Sequence, residues 1–166
     1  MSSSITPLLW FNGNAEEAVN FYVGCFADSE IGSVSRYEEG TPGEAGEAMM
    51  IEFRLEGQDY LALNGGSSDD GQLRGADLAQ GAVALFVTCQ TQAEVDRLWE
   101  RLGDGGDYLP CGWLRDRYGF AWNIVPSGLA ELLGNSDREK AGRAMQAMLQ
   151  MGKLDINALR RAFDAE

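Results

Sequence analysis

Three cysteines are the first residues to weigh for chemistry: Cys25, Cys89 and Cys111. A thiolate nucleophile needs a nearby cation, a base or a helix N-terminus to lower its pKa. Cys111, in Cys111-Gly112-Trp113, has Arg115 and Arg117 close in sequence and is the candidate nucleophile or ligand contact. The competing reading is a buried, inert thiol. The chain has no histidine, so no imidazole takes the proton; Ser-His-Asp and Cys-His catalysis and His-containing zinc sites are excluded. Lys140 and Lys153 are the only lysines, which removes a phosphate-loop lysine and a Schiff-base lysine in the body of the chain. Cys25, on a predicted helix, and Cys89, ending a predicted strand, read as structural. An odd count with no paired spacing points to reduced thiols and a cytoplasmic protein.

Asn64 and Asn123 are the polar residues nearest the expected sheet centres. Either they line a cavity and hydrogen-bond a small ligand, or they satisfy neighbouring backbone near turns. Trp10, Phe53, Phe86, Trp113 and Trp122 either wall that cavity or fill the core. The ligand-contact set is Asn64, Phe86, Cys111, Trp113 and Asn123. Asp104-Gly105-Gly106 resembles a nucleotide loop only in composition, because such loops follow a strand and open a helix. This one follows a predicted helix.

The elements that must position these residues come twice. Ile5 to Phe11 reads as a strand, and Asn14 with Glu17 as a capping box. Val19, Tyr22, Val23 and Phe26 form a helical stripe. Strands follow at Ile31 to Tyr37, Met49 to Leu55 and Tyr60 to Leu63, with a tight Glu56-Gly57 connection. The pattern restarts with a strand at Ala82 to Cys89, a Thr91/Glu94 capping box and the stripe Val95, Leu98, Trp99, Leu102. Strands around Asp107 to Pro110, Trp113 to Arg115 and Phe120 to Val125 complete it. A shift of 76 residues lays Leu9-Trp10-Phe11 on Leu85-Phe86-Val87 and one helical stripe on the other, the mark of an internal repeat. Glu38 to Glu47 is an acidic, glycine-rich loop expected to be mobile, and Gly65 to Gly81 joins the halves. Beyond Pro126 the pattern is helical: Leu129 to Leu133, a helix capped by Asp137, and Leu154 to Phe163. The stripe Met145, Met148, Met151 either packs on the chain's own sheet or forms a dimer contact.

The segments Thr6-Pro-Leu-Leu-Trp-Phe-Asn-Gly-Asn-Ala-Glu-Glu-Ala-Val-Asn-Phe-Tyr22, Leu61-Ala-Leu-Asn-Gly-Gly66 and Cys111-Gly-Trp-Leu-Arg-Asp-Arg-Tyr-Gly-Phe-Ala-Trp-Asn-Ile-Val-Pro126 carry a resemblance. The chain resembles the vicinal oxygen chelate superfamily of glyoxalases, bleomycin resistance proteins and dioxygenases. Within it, the chain looks like the PhnB-like (demethylubiquinone methyltransferase-like) subgroup, whose tail is similar to Ala144 to Asp155. The resemblance implies an α+β fold of two βαβββ modules (5–65 and 82–126) forming a cupped mixed β-sheet. That paired domain spans 1–126, with a helical C-terminal extension over 127–166. It also implies a homodimer and, in the superfamily's enzymes, a divalent metal. The metal-ligand positions would fall at Thr6 or Pro7, Ala82 or Val83, Ala62 or Asn64, and Asn123. None of these is an anionic or imidazole ligand, so no metal and no cofactor is expected.

A formal charge of −13 repels phosphate backbones and excludes nucleic acid as a natural partner. No apolar run approaches the ~20 residues of a membrane span, and the N-terminus lacks the features of a signal peptide. The expected function is metal-free binding of a small apolar or aromatic ligand in the sheet cup. The alternatives are an enzyme acting on a small molecule there, glyoxalase-like or through Cys111, and a dimeric scaffold with no ligand.

Overall fold

Burial alternates along β1 (Leu8–Phe11) and along the later parts of β3 (Ala48–Leu55) and β4 (Gln58–Asn64), so each strand has one covered face. In the computed structural model, which describes residues 6–39, 43–65 and 83–165, α1 (Ala15–Cys25) covers it. With β2 (Ser29–Arg36) these strands form a sheet ordered β1-β4-β3-β2. The β1–β4 pair is parallel and the others are antiparallel. The helix buries Ala15, Ala18, Val19, Tyr22 and Cys25. Glu56 and Gly57, both at positive φ (47° and 79°), make the tight β3–β4 turn, whose handedness matches the strand twist.

The second unit repeats the plan. Strand β5 (Leu85–Cys89), α2 (Gln92–Gly103), β6 (Asp107–Tyr108), β7 (Trp113–Arg115) and β8 (Ala121–Pro126) give the order β5-β8-β7-β6. Here β5 and β8 are the parallel pair. The Thr91 hydroxyl accepts from Glu94 N at 3.2 Å, and Gln90 N donates to the Glu94 carboxylate at 2.8 Å, so this helix start is capped as its sequence predicts. Val95, Leu98, Trp99 and Leu102 are all buried.

Three helices complete this second unit: α3 (Leu129–Leu133), α4 (Arg138–Leu149) and α5 (Ile156–Asp164). Asp137 and Asp155 cap the last two by accepting from the first backbone amides. Leu129, Leu154 and Leu159 close on Val125 of β8, with Met148 and Met151 packed against them, whereas Met145 is exposed. The described residues thus form two compact units, within 1–80 and within 81–166, and the C-terminal helices belong to the second.

The structure departs from the sequence reading in local ways. The Asn14 side chain makes no capping hydrogen bond; the start of α1 is capped from elsewhere, as shown below. The β5 strand begins at Leu85, and Ile5, Ala82 and residues 66–81 of the connection lie outside the described residues. The acidic loop, of which residues 40–42 are not described, is closed at its base by Tyr37 N to Glu47 O and Gly46 N to Tyr37 O, both 2.9 Å. Among the described residues no helix is long and apolar enough to cross a membrane.

Candidate functional site

Each sheet has a helix-covered face and an outer face, and strand register decides where every candidate points. Asn64 pairs with Phe11 and follows Ala62 on the covered side. Its Oδ1 accepts from Ala15 N at 2.9 Å and its Nδ2 donates to Ala48 O at 2.7 Å. The Tyr37 hydroxyl donates to its backbone carbonyl. Asn64 therefore ties the first turn of α1 to β3 and β4, with both amide atoms engaged by backbone. Asn123 is not its counterpart. With β1 laid on β5, strand pairing sets Asn64, the partner of Phe11, on Ile124, the partner of Val87, and sets Leu63 on Asn123, so the two asparagines differ by one position and face opposite ways.

That outer face of the second sheet is where the other candidates meet. Asn123 pairs with Phe86 across β5–β8 and with Trp113 across β7–β8, so the three side chains stand in one row. Phe86 is 64% exposed and Trp113 40%, yet Asn123 between them is only 6% exposed. Its Nδ2 donates to Cys111 O at 3.1 Å. A carbonyl accepts only from a donor, which fixes the amide orientation. Among the described residues no donor reaches Oδ1. The equivalent row of the first unit, Trp10-Leu63-Met50, carries no polar atom but the indole nitrogen.

Cys111 adjoins this row through its backbone. Cys111 and Gly112 have φ of 61° and 79°, and Trp113 N bonds Pro110 O at 3.3 Å, a tight primed turn joining β6 to β7. The Cys111 thiol is half-buried and donates to Met148 O at 3.6 Å. Of the two arginines near it in sequence, Arg117 is drawn instead to Asp104 at 2.6 Å. Cys25 and Cys89 are buried, and burial pushes the Cys89 thiol up to about 12. Phe53 and Trp122 are core residues, while Trp10, Phe86 and Trp113 face outward. Asp104-Gly105-Gly106 leaves α2 and enters β6, closed by Gly106 N to Gly103 O at 3.0 Å.

One residue escaped the sequence reading. Asp116 is buried; its Oδ1 accepts from Tyr118 N and Phe120 N at 2.9 and 3.0 Å, and its Oδ2 from Trp122 Nε1 at 2.8 Å. The signal was the run Asp116-Arg-Tyr-Gly119, with Asp opening a turn and Gly three residues later. Elsewhere, the outer face of the first sheet holds a groove of about 360 Å³. Its Arg54 is paired with Asp59 at 2.7 Å and Glu30 at 3.6 Å, so the groove's cation is already neutralised.

A family model described as 3-demethylubiquinone-9 3-methyltransferase matches residues 3–125. The chain belongs to that family. It is PhnB-like. The PhnB protein from Bacillus cereus is 34% identical with a TM-score of 0.66, over 75% of this chain and 99% of that one. Protein PA1353 from Pseudomonas aeruginosa is 20% identical with a TM-score of 0.59, over 75% and 99%. A glyoxylase/bleomycin resistance protein/dioxygenase domain from Frankia sp. EAN1pec is 16% identical with a TM-score of 0.46, over 74% and 94%. No curated protein matches the chain.

The superfamily's divalent metal can be tested against this PhnB-like chain's donors. Outer-face positions hold Leu8 and Trp10 on β1 and Leu61 and Leu63 on β4, with Asp59 at the far end of β4 paired to Arg54; on β5 and β8 the row at the candidate site holds Phe86 and Asn123, followed by Thr88 and Val125. Ala62 and Asn64 lie on the covered side, and Thr6, Pro7 and Val83 precede the strands. Among the described residues no group of three His, Cys, Asp or Glu side chains converges. One amide oxygen among apolar side chains does not fit a divalent cation.

Proposed function

We propose that this PhnB-like protein binds a small, neutral, apolar or aromatic molecule without a metal, on the outer face of its second sheet. Phe86 and Trp113 flank the ligand, and Asn123 Oδ1 accepts a hydrogen bond from it. The observation that carries this is the near-complete burial of Asn123, with its NH₂ engaged by Cys111 O and its Oδ1 without a donor among the described residues. The Oδ1 atom is not sealed from solvent, so a ligand N–H or O–H takes the place of water there. Two exposed aromatic rings beside one fixed polar atom are the composition of a small-molecule site. The net charge of −13 disfavours anionic ligands.

The family description names a methyl transfer. That reaction requires a bound methyl donor and a base beside the acceptor, whereas the row offers one amide and two aromatic rings. Binding is the function these groups support. Fluorescence titration with N-phenyl-1-naphthylamine, a neutral aromatic amine with one N–H, tests it. Saturable one-to-one binding is expected, weakened roughly tenfold by Asn123→Leu, which removes one hydrogen bond, and weakened again by Phe86→Ala or Trp113→Ala. The N-methylated probe should bind wild type less well and lose that handicap in Asn123→Leu. Binding indifferent to all three substitutions, or stoichiometric uptake of Mn²⁺, Ni²⁺ or Zn²⁺, overturns the reading.

A further inference from the structure

The match to the family ends at residue 125, before α3, yet the chain beyond it reaches back to the candidate row. The connection between α4 and α5 lies against the Cys111–Gly112 turn. Cys111 N bonds Met151 O at 2.8 Å and Gly112 N bonds Gly152 O at 2.7 Å, and the Cys111 thiol donates to Met148 O. On its other side the same turn is gripped by β8, where Asn123 Nδ2 donates to Cys111 O and Ile124 N to Gly112 O at 2.8 Å. The fit is close: a Cβ at Gly112 would lie 2.7 Å from Ile124 O and 3.0 Å from Leu154 Cδ1. The connection is itself fastened to the start of α2. Gln92 donates to Leu154 O at 2.9 Å and accepts from Ile156 N at 3.0 Å, and Lys153 pairs with Asp96 at 2.8 Å.

We propose that the segment from Met148 to Ile156 is a strap that clamps the Cys111–Gly112 turn from outside the sheet and thereby sets the positions of Asn123 and Trp113. The physical need is plain. A cysteine in the left-handed region is strained relative to glycine and persists only where surrounding contacts hold it. Two of the turn's amides find their partners on the strap and not within the sheet. With the strap loosened, the turn relaxes, Cys111 O shifts, and the amide it orients is freed to rotate. Gln92 is then a positioning residue: it touches the strap, and through it the row. The functional consequence rests on the reading of the row as a binding surface; the mechanical coupling does not.

The test uses the full chain labelled with 5-fluorotryptophan, comparing wild type with Gln92→Ala and with Lys153→Met, which removes only an exposed ion pair and keeps the fold. Hydrogen exchange at the Cys111 and Gly112 amides should accelerate on the order of tenfold in Gln92→Ala, from the loss of the two hydrogen bonds to the strap and the one to Asp96, and by less in Lys153→Met. The ¹⁹F resonance of Trp113 should move or broaden in step, while that of Trp10, in the other unit, stays fixed. Unchanged exchange in both variants overturns the proposal, and so does faster exchange with an unmoved Trp113 resonance. If wild type fails to bind N-phenyl-1-naphthylamine, the binding reading falls, and these two measurements still decide the strap.

Discussion

Replacing Asn64 by alanine separates an architectural asparagine from a ligand-binding one. The substitution deletes an acceptor 2.9 Å from Ala15 N and a donor 2.7 Å from Ala48 O, in a place too buried for water to replace both. Ala15 N is one of the free amides at the start of α1, and losing a cap of this kind costs about 0.5–2 kcal/mol. A buried carbonyl stripped of its donor adds about 1–3 kcal/mol. Because the two effects share one side chain and are not additive, the expected total is about 2–4 kcal/mol. For a chain of this length each kcal/mol lowers Tm by about 2–4 °C, so a fall of roughly 5–15 °C follows. Calorimetry and urea titration read the stability, and titration of N-phenyl-1-naphthylamine at a temperature where the variant is folded reads the binding. Stability should fall while probe affinity stays within about twofold, far less than one lost hydrogen bond. A variant as stable as wild type that has lost the probe would refute the assignment of Asn64 to the scaffold.

Asp116→Asn keeps an oxygen for Tyr118 N and Phe120 N but turns an NH₂ toward the Trp122 indole N–H. It should cost about 1–3 kcal/mol by denaturant titration, and less in a Trp122→Phe background. With N-ethylmaleimide on the folded protein, mass spectrometry should find Cys111 labelled ahead of the buried Cys25 and Cys89 but more slowly than free cysteine; labelling at or above that rate would revive the nucleophile. Asp96 is held below its ordinary carboxyl pKa, first by the hydrogen bond from Lys153 and then by that from Gln92. A depressed folded-state pKa contributes stability at neutral pH that is lost as pH falls through and below the ordinary carboxyl value. The pair is exposed, so the contribution is about 0.5 kcal/mol or less; the protection of the Gly112 amide, its exchange relative to the intrinsic rate at each pH, should fall on acidification in wild type, and Lys153→Met should blunt that response.

Most of the architecture was legible because it is written in short-range pattern. The stripe Val95, Leu98, Trp99, Leu102 is one face of a helix in any context, and Thr91 with Glu94 caps it locally. The same reasoning failed at Asn14 because the group that caps α1 comes from 49 residues away, a distance over which sequence pattern carries no signal. Asn64 and Asn123 looked alike for a related reason. Both sit in closing strands of repeated modules, but a one-residue difference in register sends one to the core and the other outward. The environment of Cys111 was hidden more deeply, since its partners Met148, in α4, and Met151, in the connection after it, lie beyond the repeat. Asp116 was visible as a turn former, whereas its third bond, to the Trp122 indole, belongs to tertiary structure.

Among the described residues, the opening strand of each unit pairs with the closing one, side by side and in parallel. A nascent chain therefore cannot seat Leu8–Phe11 until Asn64 has left the ribosome. Nor can it seat Leu85–Cys89 until synthesis has passed Pro126. Each half must wait for its own last strand, so the N-terminal sheet can be completed while the second is still being made.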